Sequence, residues 1–338
     1  MKLVTFKTSD NLTHAGILHN NQVVALSYPT LLELLRDADA MADAINRVRT
    51  YMGNELPGGR DTQRAHGKSG PYDTGNELPG GRDTQRAHGK SGPCVFPLGE
   101  VVLLAPIPDP PTLRDFYAFE QHVKTGRAKR GLEMLPEWYE IPTFYFSNTS
   151  EISGPDATVP YPLGCQELDF ELEIACVIGR EGKNIALEEA SDYIAGYTIM
   201  NDWSARDFQR KDTRLGLGPG KGKDFATSLG PYLVTPDELI SRRSGSGASE
   251  RYDMTMLARI NGKEVSRGNF KDIYHSFPQM IARASRNARL RVGDVLGSGT
   301  VGTGCLFEFG MTVHRWLQPQ DVVELEIDGI GVLRNCIV

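Results

Sequence analysis

The stretch Leu168-Asp169-Phe170-Glu171-Leu172-Glu173-Ile174 alternates apolar and acidic residues, and Ala175-Cys176-Val177-Ile178 continues it as unbroken apolar sequence. Period-2 alternation specifies a strand, with Asp169, Glu171 and Glu173 on one face and Leu168, Phe170, Leu172 and Ile174 on the other. The apolar continuation takes that strand into a core that covers both of its faces. Carboxylates are thereby carried to the threshold of a core, where an unpaired charge is costly. A solvated acidic edge and a metal site both satisfy the pattern, and this stretch alone leaves both open.

The remainder of the chain sets the bounds within which the strand must work. Its 338 residues suffice for one large or two modest domains. The formal charge of −6 supplies no basic footprint, which argues against nucleic acid as a partner. No apolar run reaches the roughly 18–20 residues of a spanning helix, so no membrane insertion is expected. Met1 to Lys7 reads as a strand rather than a signal peptide. The five cysteines (94, 165, 176, 305 and 336) are scattered, odd in number and form no C-x-x-C pair. Reduced thiols in a cytoplasmic protein fit that usage better than a disulfide framework or a zinc ribbon.

Along the chain, residues 2–7, 14–19 and 22–26 read as short strands, and Thr30 as the cap of a helix running to about Met52. Residues 53–71 and 75–93 are identical, letter for letter. The copies carry almost no apolar residues and cannot bury a core, so they read as a flexible loop, with His66 and His88 solvated. The proline-rich connector after Leu104 marks an expected boundary between an N-terminal β-rich domain (1–104) and a second domain (105–338). In that second domain a helix is expected from Leu113. It would place Asp115 and His122, two turns apart, on one face, either as a shared site or as solvated surface. Lys124 to Arg130, close to the glycine pair Gly126 and Gly131, reads as a basic flap, and Trp138 to Phe146 as an aromatic strand. A further helix is expected from Trp203, aligning Asp202, Arg206 and Gln209, with an ordinary capping salt bridge as the simpler reading. The glycine-rich run 215–222 ends in Lys223-Asp224 and fails the P-loop spacing. Asn261-Gly262 and Asp328-Gly329 mark hairpin turns. Strands predominate over helices with no βαβ rhythm, giving an α+β, mostly β class. No nucleophile elbow and no dinucleotide fingerprint is present.

Four pieces in order are similar to the fumarylacetoacetate hydrolase family: Asp115-Phe116-Tyr117 with Gln121-His122, the 168–173 stretch, Met200-Asn201-Asp202-Trp203-Ser204-Ala205-Arg206-Asp207 with Gln209, and Gly222-Lys223-Asp224-Phe225. The resemblance covers roughly residues 100–338. It implies a mixed β-sandwich or roll catalytic domain behind the small N-terminal domain, and a homodimer. It also implies a divalent metal, Mg²⁺, Ca²⁺ or Mn²⁺, held by Asp115, Glu171, Glu173 and Asp202. An all-oxygen ligand set suits a hard cation. The resemblance further implies His122 as catalytic base oriented by Glu308, with Lys223, Arg206 and Gln209 stabilising substrate charge. Tyr117, Tyr145 and Thr300 would contact the substrate, and Arg127 or Arg130 would add a cation. Asp169 is left as a solvent-facing or supporting residue. The implied activity is hydrolysis of a C–C bond in a 1,3-diketo acid of the fumarylacetoacetate, fumarylpyruvate or acylpyruvate type, in aromatic catabolism. A decarboxylase, isomerase or hydratase of a related 2-oxo acid is the alternative.

Overall fold

The computed structural model describes residues 1–37, 39–42, 44, 46 and 94–338. The identical copies at 53–93, and much of the helix expected to reach Met52, lie outside the described residues. The helix begins as expected, at Leu31–Arg36, with the Thr30 hydroxyl accepting from the Glu33 N–H.

Two sheets dominate the described residues. The larger has twelve strands and runs from the N-terminal hairpins through Lys2–Lys7, Thr227–Val234, Ile194–Asp202, Leu172–Ile178, Val295–Gly297 and Leu113–Phe116 to Phe144–Ser147. The smaller has five strands, centred on the antiparallel pairing of Thr255–Ile260 with Val322–Ile327. The sheets face one another across the main core. Leu172, Ile174, Cys176 and Ile178 project into it, together with Met256, Ala258, Ile260, Leu325 and Ile327. On the opposite face of the Leu172–Ile178 strand, Ala175 and Val177 pack with Leu3, Ile17, Leu31 and Leu34 of the N-terminal segment. The strand is therefore covered on both sides, and this is why its alternation ends after Glu173.

The N-terminal segment is hydrogen-bonded into the same sheet, with Leu3 opposite Leu233. Thr5 is fully buried; its hydroxyl donates to the Pro106 carbonyl at 2.8 Å and accepts from the Leu31 N–H at 3.1 Å. One threonine thus joins the first strand, the proline-rich connector and the first helix.

Several boundaries differ from the sequence expectations. Leu113–Phe116 is a buried strand parallel to Val295–Gly297, and the helix starts only at Glu120–Ala128. Asp115 and His122 therefore sit on different elements. Trp138 lies in the short helix Pro136–Glu140, and the aromatic strand is confined to Phe144–Ser147. The helix expected from Trp203 begins at Arg206, because Asp202 still pairs with Thr227 in the sheet. A further helix, Phe277–Ser285, is capped reciprocally by Ser276 and Gln279. Both hairpin turns form where the sequence marks them, with Asn261 and Gly262 at positive φ of 52° and 78°.

The 168–174 stretch is not one strand. Leu168–Asp169 pairs with Ser204–Ala205, and Leu172–Ile178 opens a separate pairing opposite Asn201. Side chains replace the ladder at the break: the Phe170 N–H donates to Asp169 Oδ1 at 2.9 Å and the Glu171 N–H to Asn201 Oδ1 at 3.0 Å.

Candidate active site

The ends of four neighbouring segments converge at one point of the large sheet. Asp115 comes from the Leu113–Phe116 strand, Glu173 from Leu172–Ile178, Asp202 from the end of Ile194–Asp202, and Glu171 from the break before Leu172. One carboxylate oxygen from each falls within 4.8 Å of those of the others, and all four residues are buried. The approach depends on a residue without a side chain. A Cβ at Gly297 would stand 2.7 Å from Asp115 Oδ1 and 2.3 Å from Met200 Cε. Beyond it, the Gly299 N–H reaches Glu173 Oε2 at 2.9 Å and Asp115 Oδ1 at 3.1 Å.

Charge around the cluster is unevenly shared. Lys223 lies 2.5 Å from Glu171 Oε2 and 2.6 Å from Asp202 Oδ2, and Arg206 Nη2 lies 2.8 Å from Glu171 Oε1. Burial would raise the Glu171 carboxyl, but Lys223 and Arg206 outweigh it and hold Glu171 well below the usual carboxylate range. Asp115 and Glu173 behave oppositely. Burial, reinforced by repulsion from neighbouring carboxylates, pushes both well above their ordinary values. Asp202 is also raised, by burial that Lys223 only partly offsets. Burial and the same acids raise the Tyr145 phenol well above its normal value, so Tyr145 stays protonated and donates to Asp202 Oδ2.

Two oxygens of this cluster, Glu173 Oε1 and Asp202 Oδ1, are buried without a hydrogen-bond partner. Orphaned carboxylate oxygens in a dry site are unfavourable unless something cationic meets them. An all-oxygen set with two unused acceptors, served by one lysine and one arginine, fits a hard divalent cation.

The second half of the site stands beside the first. His122, on the Glu120–Ala128 helix, has Nδ1 2.7 Å from Glu308 Oε1, and both side chains are buried. Glu308 belongs to the single-turn helix Leu306–Phe309, and its other oxygen accepts from the Thr303 N–H at 2.9 Å. This arrangement leaves His122 Nε2 as the nitrogen directed elsewhere. The Tyr117 ring meets His122 edge-on at 5.5 Å. Arg206 Nη1 donates to Gln209 Oε1 at 3.1 Å on the Arg206–Arg214 helix. Thr300 is buried directly after Gly299.

The expected residues are thus brought together, though by other routes than the spacing implied. Asp202 and Arg206 do not pair; Asp202 meets Lys223 and Tyr145, while Arg206 meets Glu171 and Asp169. Of the two arginines in that basic run, Arg130 faces Tyr117; burial raises the Tyr117 phenol, and Arg130 offsets this only in part. Arg127 turns instead to the Glu133 carbonyl. Asp169 is not solvent-facing: it is fully buried and bonded to Arg206. Asn201, Gly297 and Trp138, whose indole holds the Tyr117 carbonyl at 2.8 Å, also shape the site. Only Asn201, inside the Met200-to-Asp207 run, carried a sequence signal.

A site of this kind, carboxylates at sheet ends beside a histidine–glutamate pair, agrees with what the chain is similar to. The family model for the fumarylacetoacetate hydrolase C-terminal domain matches residues 112–338. The chain belongs to that family. It is 32% identical over 288 residues to the fumarylacetoacetase of Oryza sativa subsp. japonica, covering 69% of this chain and 67% of that one. It is 35% identical over 201 residues to the mitochondrial oxaloacetate tautomerase fahd2 of Xenopus laevis, covering 58% of each. The chain therefore spans 58% to 67% of the length of these relatives. In fold, it matches the structure of maleylpyruvate hydrolase from Sphingobium sp. SYK-6, solved with manganese and pyruvate. That match has a TM-score of 0.65 at 20% identity and covers 100% of this chain and 99% of that one. Members of the family are enzymes, hydrolases and tautomerases among them, and act on small molecules.

Proposed function

We propose that this protein is a metal-dependent hydrolase that cleaves a C–C bond in a 1,3-diketo acid of the fumarylacetoacetate, fumarylpyruvate or acylpyruvate type, in the catabolism of aromatic compounds. The observation that carries this reading is the buried His122–Glu308 pair, 2.7 Å apart, beside a four-carboxylate cluster. Asp115, Glu171, Glu173 and Asp202 would hold Mg²⁺, Mn²⁺ or Ca²⁺, which when bound supplies Lewis-acid stabilisation of enolate charge.

The chain's own residues do the remaining work. Glu308 holds His122 Nδ1–H, so Nε2 is free to take a proton from water, the general-base role. The hydroxide adds to the acyl carbonyl, and the resulting oxyanion is met by the buried cations Lys223 and Arg206 with the Gln209 amide. The C–C bond then breaks with its electron pair passing to the departing enolate. The proton on His122 returns to the enolate carbon, which closes the balance at one water consumed and two acids formed. Tyr117, Tyr145, Thr300 and Arg130 would fix the substrate. Buried Phe116 and Phe119 keep bulk water from the reacting centre. The catalytic unit is residues 105–338, with 1–104 as a β-rich N-terminal unit. We place the protein in the cytoplasm as a homodimer.

A second reading, tautomerisation, isomerisation, hydration or decarboxylation of a 2-oxo acid, is favoured by the 35% identity to an oxaloacetate tautomerase. It needs the same carboxylates and a proton-transferring group and, hydration apart, no attacking water. A panel of 2-oxo and 2,4-dioxo acids, assayed with Mg²⁺, separates the two. The hydrolase reading expects loss of the near-UV absorbance of an acylpyruvate by wild type and none by His122→Ala. Turnover of oxaloacetate with no loss of acylpyruvate overturns it in favour of the second.

A further inference from the structure

We propose that Asp169 is a positioning residue that locks the catalytic arginine and the histidine–glutamate pair into one register. This inference rests on the proposed roles of Arg206, His122 and Glu308.

Asp169 has no solvent exposure, and both its oxygens are fully used. Oδ1 accepts from the Leu306 N–H at 2.8 Å and the Phe170 N–H at 2.9 Å. Oδ2 accepts from Arg206 Nε at 2.9 Å and the Phe307 N–H at 3.0 Å, with Arg206 Nη2 at 2.8 Å. Leu306 and Phe307 open the single-turn helix that carries Glu308. A helix of one turn is marginal by itself, and its first N–H groups require acceptors. The residue in the capping position, Cys305, gives its helix no side-chain cap. Asp169 supplies that cap from a strand some 137 positions away in sequence, between Asp169 and Leu306. A carboxylate at this end also suits the helix dipole.

The same carboxylate holds Arg206, whose Nη2 reaches on to Glu171 Oε1 at 2.8 Å. Asp169 therefore connects the two halves of the site. One oxygen set fixes the turn bearing Glu308, and through Glu308 the orientation of His122. The other fixes the guanidinium against the carboxylate cluster. Phe307 adds a contact between them, with the Arg206 guanidinium 5.3 Å from its ring centre.

Asp169→Asn keeps the shape but removes the charge and turns an N–H₂ toward N–H donors that an oxygen now serves. The expected result is a fall in kcat of about 10- to 100-fold with little change in KM, the usual scale for a supporting partner. Metal binding by calorimetry should stay within about threefold of wild type, because Asp169 contacts none of Asp115, Glu173 or Asp202. The decisive readout needs no turnover: the downfield proton resonance of His122 Nδ1–H held by Glu308. It should be present in wild type, absent in Glu308→Gln, and lost or displaced in Asp169→Asn. Asp169→Glu, which keeps the charge, should restore it at least in part and serves should the asparagine variant not fold. A His122 resonance and kcat unchanged in a folded Asp169→Asn protein, with only the melting temperature lowered, would reduce Asp169 to a buried structural ion pair. If wild type proves to cleave no dioxo acid, the resonance still decides whether Asp169 positions His122, so the two failures are distinguishable.

Discussion

The two halves of the site are built on different foundations. The carboxylate half stands on strands of a twelve-stranded sheet covered on both faces, where Leu172–Ile178 is buried along its whole length. The histidine half hangs on a nine-residue helix and a four-residue one, the latter held by backbone N–H groups donated to Asp169. Sheet registry fixes the first half, with Gly297 opposite Asp115 and Met200 opposite Glu173. Hydrogen bonds from side chains fix the second. A strand end is a stiff place for charge that must be concentrated. A short helix is a place where proton transfer can be tuned, at the cost of depending on a few bonds.

If that division holds, damage to the halves should have different signatures. The largest effect is expected from Glu173→Gln, which should abolish metal binding in calorimetry and all turnover. It should not lower the melting temperature of the metal-free protein, because it removes one of several mutually repelling buried carboxyls. A collapse of the fold in this variant would mean the sheet depends on the charge it carries. Next comes His122→Ala, which should cost about 10²- to 10⁴-fold in kcat while leaving metal affinity intact. Loss of metal binding in that variant would show that the halves are not separable.

Metal itself should stabilise the carboxylate half. Saturation at about 100 times Kd should add about 2.7 kcal/mol to unfolding, measured by denaturant titration against a chelated control. The pH dependence follows from the raised carboxyls of Asp115 and Glu173. In metal-free protein such groups contribute stability at pH below the ordinary carboxylate value, and this is lost as pH rises through their raised folded values. The cation competes with those protons, so metal affinity should climb with pH across the same window, above the ordinary carboxylate range. A flat affinity from pH 5 to 8 would argue that these two acids do not bind the cation. The smallest effect is reserved for Glu167→Gln, which breaks the pair of bonds to Arg210 on a side chain 52% exposed. It should change stability by no more than about 1 kcal/mol and leave activity and metal binding unchanged.

The sequence disclosed these halves unequally. The mostly β class, both hairpin turns and the acidic stretch were legible because alternation and Asn-Gly or Asp-Gly turns are local signals. The seven-residue spacing of Asp115 and His122 suggests one helical face, whereas the chain places the aspartate on a strand and the histidine on the helix after it. Likewise the spacing of Asp202, Arg206 and Gln209 suggests one helical face; Arg206 does reach Gln209 on its helix, but Asp202 stays on the sheet, and the ionic partners of Asp202 and Arg206 are Lys223, Glu171 and Asp169. Long-range pairing decides such cases, and spacing within a segment does not encode it. Asp169 was flagged by its place in the alternation. Its cap on Leu306 and Phe307 was illegible because the receiving helix is too short to announce itself.

The most direct test of the proposed chemistry is where solvent oxygen goes. Metal-loaded protein turned over on an acylpyruvate in ¹⁸O-water should place one labelled oxygen in the newly formed acyl carboxylate, and His122→Ala should form no labelled product. Substrate consumed without label in that carboxylate, or labelled product formed equally by His122→Ala, would contradict hydrolysis directed by the His122–Glu308 pair.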